Sequence, residues 1–194
     1  ADLLTRGTTT RSATDIARQI ESLGASISSG AGVDSSAVSL MTRSDRVNDA
    51  FTVFADVARN PAFAQEELER AQQQSLDGLQ VALSQPGSIA QFAMTRALYG
   101  DAPYGAVASQ RSISATTRDD MATYHRTYWR PDNAARVITA DVSADEGFAL
   151  AERYFGDWPH PSTPAPARPD ASAYAAAPRA IVVDLPETGQ AAVL

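Results

Sequence analysis

The pattern of a capping box, in which Ser or Thr precedes an acidic residue by three positions, marks the predicted start of three helices in this chain. The pairs are Ser12 with Asp15, Thr117 with Asp120, and Ser143 with Glu146. In a capping box the two residues satisfy each other's free backbone N–H groups at the start of a helix. We therefore predict helices that begin at these pairs and run to about Leu23, Trp129 and Tyr154.

Two segments after the first predicted helix alternate between apolar and polar residues. Residues 25–30 and 34–42 read as strands joined by a hairpin-type connection, and their inward face is formed by Ile27, Val38 and Leu40. Further helices are predicted over about 45–60, 65–84 and 88–99, and further strands over 135–140, 180–184 and 190–194. This order predicts an α+β fold, with a mixed, largely antiparallel sheet covered by helices, rather than a doubly wound nucleotide-binding fold.

The composition changes at Pro159, where a stretch rich in Pro, Ala and Ser begins. We interpret residues 1–158 as one domain, 159–179 as a linker and 180–194 as the first strands of a following, related domain. The opening residues read as the end of a helix without the regions of a signal peptide, so the chain is expected to be cut from a longer one. This interpretation leaves room for a targeting signal upstream of Ala1.

Charge and composition exclude several classes of function. The net charge is −7 and the 16 basic residues are scattered, which argues against nucleic acid as a partner. There is no cysteine, so disulfides and thiolate chemistry are excluded, while both cytoplasm and periplasm stay open as compartments. No apolar stretch approaches the roughly 20 residues of a membrane helix.

The residues with potential chemistry lack the spacing that catalytic or metal sites need. His125 is expected on the surface of a helix and His160 in the linker, with no metal-binding partner at helical spacing. Three glutamates, Glu66, Glu67 and Glu69, are interpreted as complements to the dipole of the third predicted helix. No Gly-x-Ser-x-Gly elbow supports a Ser-His-Asp triad, and the glycines near residue 30 lack the Lys of a phosphate-binding loop.

Residues 185–189 read Leu-Pro-Glu-Thr-Gly, which matches the signal cleaved by sortases. A sorting signal is followed at once by an apolar segment and basic residues, and neither follows here. The strand patterns on both sides favour a turn between two strands.

Four segments, taken in order, resemble the pitrilysin-like family of zinc metalloproteases, which includes insulinase and the mitochondrial processing peptidases. They are 4–12 with 20–25, 60–63 with 67–70, 97–105, and 124–133 leading to 154–158. The first is similar to the family's Gly-Thr-x-x-Arg-Ser … Leu-Gly-Ala stretch. Together the four segments cover most of the chain.

Active family members carry His-x-x-Glu-His just before the Gly-Thr stretch, with a further Glu ligand on a later helix. Carried onto this chain, the resemblance puts the second His at Asp2, the general base at Ala1 and the later ligand at Gly78. Ala1 and Gly78 have no group for this chemistry, although the neighbouring Asp77 has a carboxylate. The resemblance thus implies a chain with no catalytic residue and no metal ligand of its own.

The family resemblance further implies a role beside an active partner. Family members build a peptide chamber from two related halves, and zinc would lie in the partner half. This chain is expected to belong to the non-catalytic half of a bacterial, periplasmic peptidase, with Ser26, Ile27, Ser28 and Ser29 as the strand that holds peptide substrate. Two alternatives stay open: a structural subunit similar to respiratory core proteins, and an active metallopeptidase with atypical ligands.

Overall fold

A computed structural model describes residues 1–167, 180–186 and 189–194. The chain divides into two compact units. One comprises Ala1–Ala71 with Thr117–Pro166, and the other comprises Gln72–Thr116 with Ala167–Leu194.

The predicted helices and the predicted hairpin occur in the expected order along the chain. A short 3-10 helix, Asp2–Thr5, opens the first unit. The main elements are then α1 (Ala13–Ser22), β1 (Ser26–Ala31), β2 (Ser36–Met41), α2 (Val47–Arg59), α3 (Gln65–Leu83), α4 (Pro86–Tyr99), α5 (Gln110–Ala115), α6 (Arg118–Tyr128) and α7 (Ala144–Phe155). Three further 3-10 turns lie at Ser44–Arg46, Pro103–Gly105 and Pro131–Asn133. The α+β class is confirmed.

All three predicted capping boxes are present. The backbone N–H of Asp15 donates to Ser12 Oγ over 3.1 Å, and the Ser12 N–H donates to Asp15 Oδ2 over 3.3 Å. The pairs that open α6 and α7 have the same reciprocal bonds. A fourth box, Ser109 with Ser112, opens α5. It was missed because a serine in the third helical position lacks the acidic signature.

Strands β1 and β2 form an antiparallel hairpin that runs from the pair Ser26–Met41 to the pair Ala31–Ser36. Ile27 lies opposite Leu40, and both pack against the main core together with Val38. The predicted inward face is therefore confirmed. The side chains of alternate residues, including Ser28 and Met41, are exposed on the other face.

The core of the first unit lies between the hairpin and helices α1 and α2. Its buried side chains are Leu3, Leu4, Ile16, Ile20, Val53, Val57, Phe63 and Leu68. Val57 has no exposed surface. A smaller aromatic cluster joins α2 to α7, where Phe155 packs against Phe54 and Trp158. These two clusters hold the first unit together by burial of apolar surface.

The predictions of strands at 135–140, 180–184 and 190–194 are wrong. None of these segments is a strand in the part of the chain that the structure describes. Val137 and Val182 are 88% and 90% exposed. A β-branched composition favours extended backbone, but a strand also needs a neighbouring strand to take up its hydrogen bonds.

Candidate functional site

The predicted peptide-binding strand is most of β1. The sheet among the described residues has only β1 and β2, so one edge of β1 faces no further strand. Every second residue of an antiparallel strand directs its N–H and C=O groups away from the paired neighbour. Ser26 and Ser28 are exposed, whereas Ile27 is directed to the core.

Ser29 joins this strand to the start of the chain. Its Oγ donates a hydrogen bond to the backbone carbonyl of Ala1 over 3.0 Å. Ala1 is the position matched to the general base of active family members. The structure therefore brings one predicted strand residue and one predicted base position together.

The other two matched positions, Asp2 and Gly78, belong to different units. Asp2 is exposed in the first 3-10 helix, where its carbonyl accepts a hydrogen bond from Thr5. Gly78 belongs to the second unit, within α3, and a Cβ added there would meet nothing within 4 Å. The nearby Asp77 accepts a hydrogen bond from Gln73 over 2.8 Å. In the described ranges, no group of three His, Cys, Asp or Glu residues is arranged to hold a metal ion.

A buried carboxylate, which sequence reasoning missed, holds the Gly-Thr-x-x-Arg-Ser segment in place. Asp56 on α2 accepts hydrogen bonds from Thr8 Oγ1 at 2.6 Å and Thr10 Oγ1 at 3.0 Å. It also accepts from Arg11 Nη1 at 2.5 Å and from Asn60 Nδ2 at 3.0 Å. Burial by itself raises the pKa of the Asp56 carboxyl, but these four donors outweigh it and hold the pKa below its ordinary value.

The same segment is bonded to the chain that follows α2. Thr9 N–H donates to the Asn60 carbonyl, and Ala62 N–H donates to the Gly7 carbonyl, both over 3.0 Å. Gly7 has a φ of +126°, which a residue with a Cβ rarely adopts. Two of the four segments that carried the family resemblance therefore lie side by side. The signal for Asp56 was an acid placed directly between the apolar residues Ala55 and Val57 of a predicted helix.

His125 is buried, so the prediction of a surface histidine is wrong. Its Nε2–H donates to the Ala58 carbonyl over 2.9 Å, and its ring lies between Phe63 and Trp129. Burial lowers the pKa of His125, and the nearby Arg126 adds to this, while the bond to Ala58 acts in the opposite direction. His125 therefore ties α6 to α2 as a neutral side chain.

Two of the three predicted glutamates of α3, Glu67 and Glu69, have partners on the same helix. Glu67 pairs with Arg70 over 2.6 Å, and Glu69 accepts from Gln65 over 2.9 Å. Glu66 and Glu67 lie in the first turn of the helix, as predicted. In the sortase-like segment, residues 187 and 188 lie outside the described residues.

Two family models match the chain. One, described as insulinase (peptidase family M16), matches residues 2–110, and the other, described as peptidase M16 inactive domain, matches residues 115–194. The fold and these matches define a class, that of the zinc metallopeptidases and their inactive relatives. Within that class, the chain belongs to peptidase family M16, the pitrilysin and insulinase family.

Relatives and solved structures agree with this assignment. An uncharacterized zinc protease of Rickettsia bellii is 26% identical over 77% of this chain and 37% of its own length. The crystal structure of a peptidase M16 inactive domain from Pseudomonas fluorescens is 28% identical, with a TM-score of 0.78, over 87% of this chain and 41% of that one. The periplasmic protease PqqL of Escherichia coli, at 12% identity and a TM-score of 0.69 over 86% of this chain and 20% of that one, shares the fold. The chain thus spans about two fifths or less of each of these proteins.

None of the helices in the described residues has the length and apolar character needed to cross a bilayer.

Proposed function

We propose that this chain is part of the non-catalytic half of a pitrilysin-like zinc metallopeptidase. In this role it helps to form the chamber that holds a peptide, and a homologous half carries the zinc. The observation that carries the proposal is which residues occupy the matched positions. The side chain of Ala1 cannot act as a general base, and Gly78 has no side-chain atom that could bind zinc.

The match to an inactive-domain model over residues 115–194 and the likeness to the Pseudomonas fluorescens structure support this assignment. The backbone near the matched positions Ala1 and Asp2 is fixed by hydrogen bonds. Asp56 holds the Gly7–Ser12 segment, and Ser29 holds the backbone of Ala1. A segment that stays fixed in position without catalytic groups can still form part of the wall of a peptide-binding chamber.

The peptide is proposed to pair with the open edge of β1 at Ser26–Ser29. An extended peptide can add to such an edge as a further strand, through backbone hydrogen bonds that read little of its sequence. The exposed face of Ser26 and Ser28 carries no charge, which suits a binding strand for peptides of varied composition.

The organisation and the compartment are part of the same proposal. Residues 1–158 form the peptidase-family domain, 159–179 a linker and 180–194 the start of a related domain. The inactive-domain match runs to residue 194, which supports family sequence after the linker. A periplasmic, bacterial location is supported by the fold shared with a periplasmic protease.

Zinc analysis and peptide assays test the proposal. We expect the purified chain to retain no stoichiometric zinc after dialysis and to cleave no quenched fluorescent peptide. Stoichiometric zinc with cleavage by this chain alone would overturn the proposal and favour an active enzyme with atypical ligands.

Peptide pairing is tested with a labelled extended peptide and two copies of it, one N-methylated at the odd-numbered residues and the other at the even-numbered residues. Fluorescence anisotropy is measured with and without the zinc-bearing half. Pairing through the backbone predicts that N-methylation in one of the two registers weakens binding by at least tenfold. Absence of peptide binding in both conditions would favour the structural-subunit alternative.

A further inference from the structure

Arg130 is a buried arginine whose side chain binds a segment more than 30 residues further along the chain. Its side chain is 5% exposed. It lies between α6 and the 3-10 turn Pro131–Asn133. An arginine is rarely buried unless its donors are satisfied by acceptors, so the partners of this one define its role.

The first partner is Asp132, two residues along the chain. Arg130 Nε donates to Asp132 Oδ1 over 2.5 Å, and Nη2 donates to Oδ2 over 2.7 Å. This two-bond pairing fixes the plane of the guanidinium. The turn that holds both residues is closed by a hydrogen bond from Asn133 N–H to the Arg130 carbonyl over 3.0 Å.

The remaining donors reach the segment after α7. Nη2 donates to the Thr163 carbonyl over 2.5 Å, and Nη1 donates to the Pro164 carbonyl over 3.4 Å. Both carbonyls belong to the stretch that the composition marks as a linker. A rigid guanidinium with five donors can bind a carboxylate and two carbonyls at once, which a lysine ammonium cannot do.

This segment is also held at its other end. Trp158 packs against Phe155 in the aromatic cluster, and its N–H donates to the Phe155 carbonyl over 3.0 Å. Pro159, Pro161 and Pro164 restrict the backbone between the two attachments. The stretch from Trp158 to Pro164 is therefore attached to the first unit at both ends.

We propose that Arg130 and Asp132 form a clasp that holds residues 158–164 on the first unit, so that the chain leaves this unit near Pro166. Arg130 is then a positioning residue that sets where the connection to the following segment begins. This inference does not depend on the proposed role in a peptidase, because it concerns only contacts within the first unit.

Spin labelling tests the clasp, because the chain has no cysteine of its own. Ser162→Cys places a nitroxide on the exposed side of the held segment, and Ser39→Cys places a reference label on β2. We expect Arg130→Ala to raise the mobile fraction at residue 162 several-fold and to leave residue 39 unchanged. Arg130→Lys is expected to behave like the alanine variant.

Two controls keep the result specific. Arg126→Ala removes an exposed arginine whose guanidinium donates to Thr123 in the adjacent turn, and it is expected to change neither label. Asp132→Asn weakens the two-bond pairing that fixes the guanidinium but keeps Arg130. This variant replaces Arg130→Ala in the test if the alanine variant does not fold. Unchanged mobility at residue 162 in the Arg130 and Asp132 variants would overturn the clasp. Equal rises at residues 162 and 39 would also overturn it, since Arg130 would then stabilise the whole unit.

Discussion

Arg11 Nη1 lies 2.5 Å from Asp56 Oδ2, and this ion pair connects the start of the chain to the middle of the first unit. The Asp56 side chain is 10% exposed and that of Arg11 is 20% exposed. The carboxylate accepts three further hydrogen bonds from neighbouring side chains. Asp56 is therefore the residue on which the Gly7–Ser12 segment depends.

Asp56→Asn is expected to lower the free energy of unfolding by about 3 kcal/mol, because it leaves the half-buried Arg11 without its counter-charge. Urea unfolding followed by circular dichroism measures the change. The matched control is Asp45→Asn, since the exposed pair of Asp45 with Arg43 is expected to contribute less than about 0.5 kcal/mol. Equal losses in both variants would contradict the buried network.

The stability of the protein is expected to fall with acid partly through Asp56. Its pKa is lower in the folded state than the ordinary 3.8, so its contribution is complete above that value and is lost as the pH falls through the folded-state pKa. Unfolding free energies at pH 5 and pH 3 are compared in the natural protein and in Asp56→Asn. The variant should lose less stability between the two pH values, and an identical loss would count against this assignment.

The first capping box gives a local prediction. Ser12→Ala removes the acceptor of the Asp15 N–H and is expected to cost about 1 kcal/mol, whereas Ser12→Gly costs a few tenths. Ser28→Ala on the exposed face of β1 is the control and should be close to neutral. Thermal unfolding measures the stability of the three variants. A Ser12→Ala variant as stable as the natural protein would show that the cap contributes nothing.

His125 is expected to titrate below the ordinary histidine pKa of 6.5, because burial disfavours its charged form. The unfolded chain then binds the proton more readily, so stability declines as the pH falls below 6.5. Proton NMR of the imidazole signals measures the midpoint. His160→Gln assigns the signals, since the chain has two histidines. A midpoint at or above 6.5 would contradict the buried, neutral state.

Local signals in the sequence predicted most helices and the hairpin. The capping boxes at Ser12, Thr117 and Ser143 depend on residues three positions apart, so they can be recognised from the sequence without knowledge of the fold. The alternation around Ile27 and Leu40 defined the inward face for the same reason. Helix α5 was not predicted because its capping box has Ser112 in place of an acidic residue.

Features that depend on distant contacts could not be predicted in this way. Asp56 and Thr8 are 48 positions apart, and the two carbonyls that bind Arg130, those of Thr163 and Pro164, lie more than 30 positions further along the chain. His125 was assigned to the surface because its partner, the carbonyl of Ala58, carries no mark in the sequence. Ala1, Asp2 and Gly78 could be matched to the zinc site of active family members only through the family resemblance.

The bond between Ser29 and Ala1 uses the side chain of one residue and only the backbone of the other. Every amino acid offers the same carbonyl oxygen, so this contact places no demand on the side chain at position 1. In the proposed non-catalytic role, position 1 can therefore carry many different side chains without loss of the bond to Ser29. Position 29, by contrast, must supply a hydrogen-bond donor, which is the hydroxyl group of Ser29.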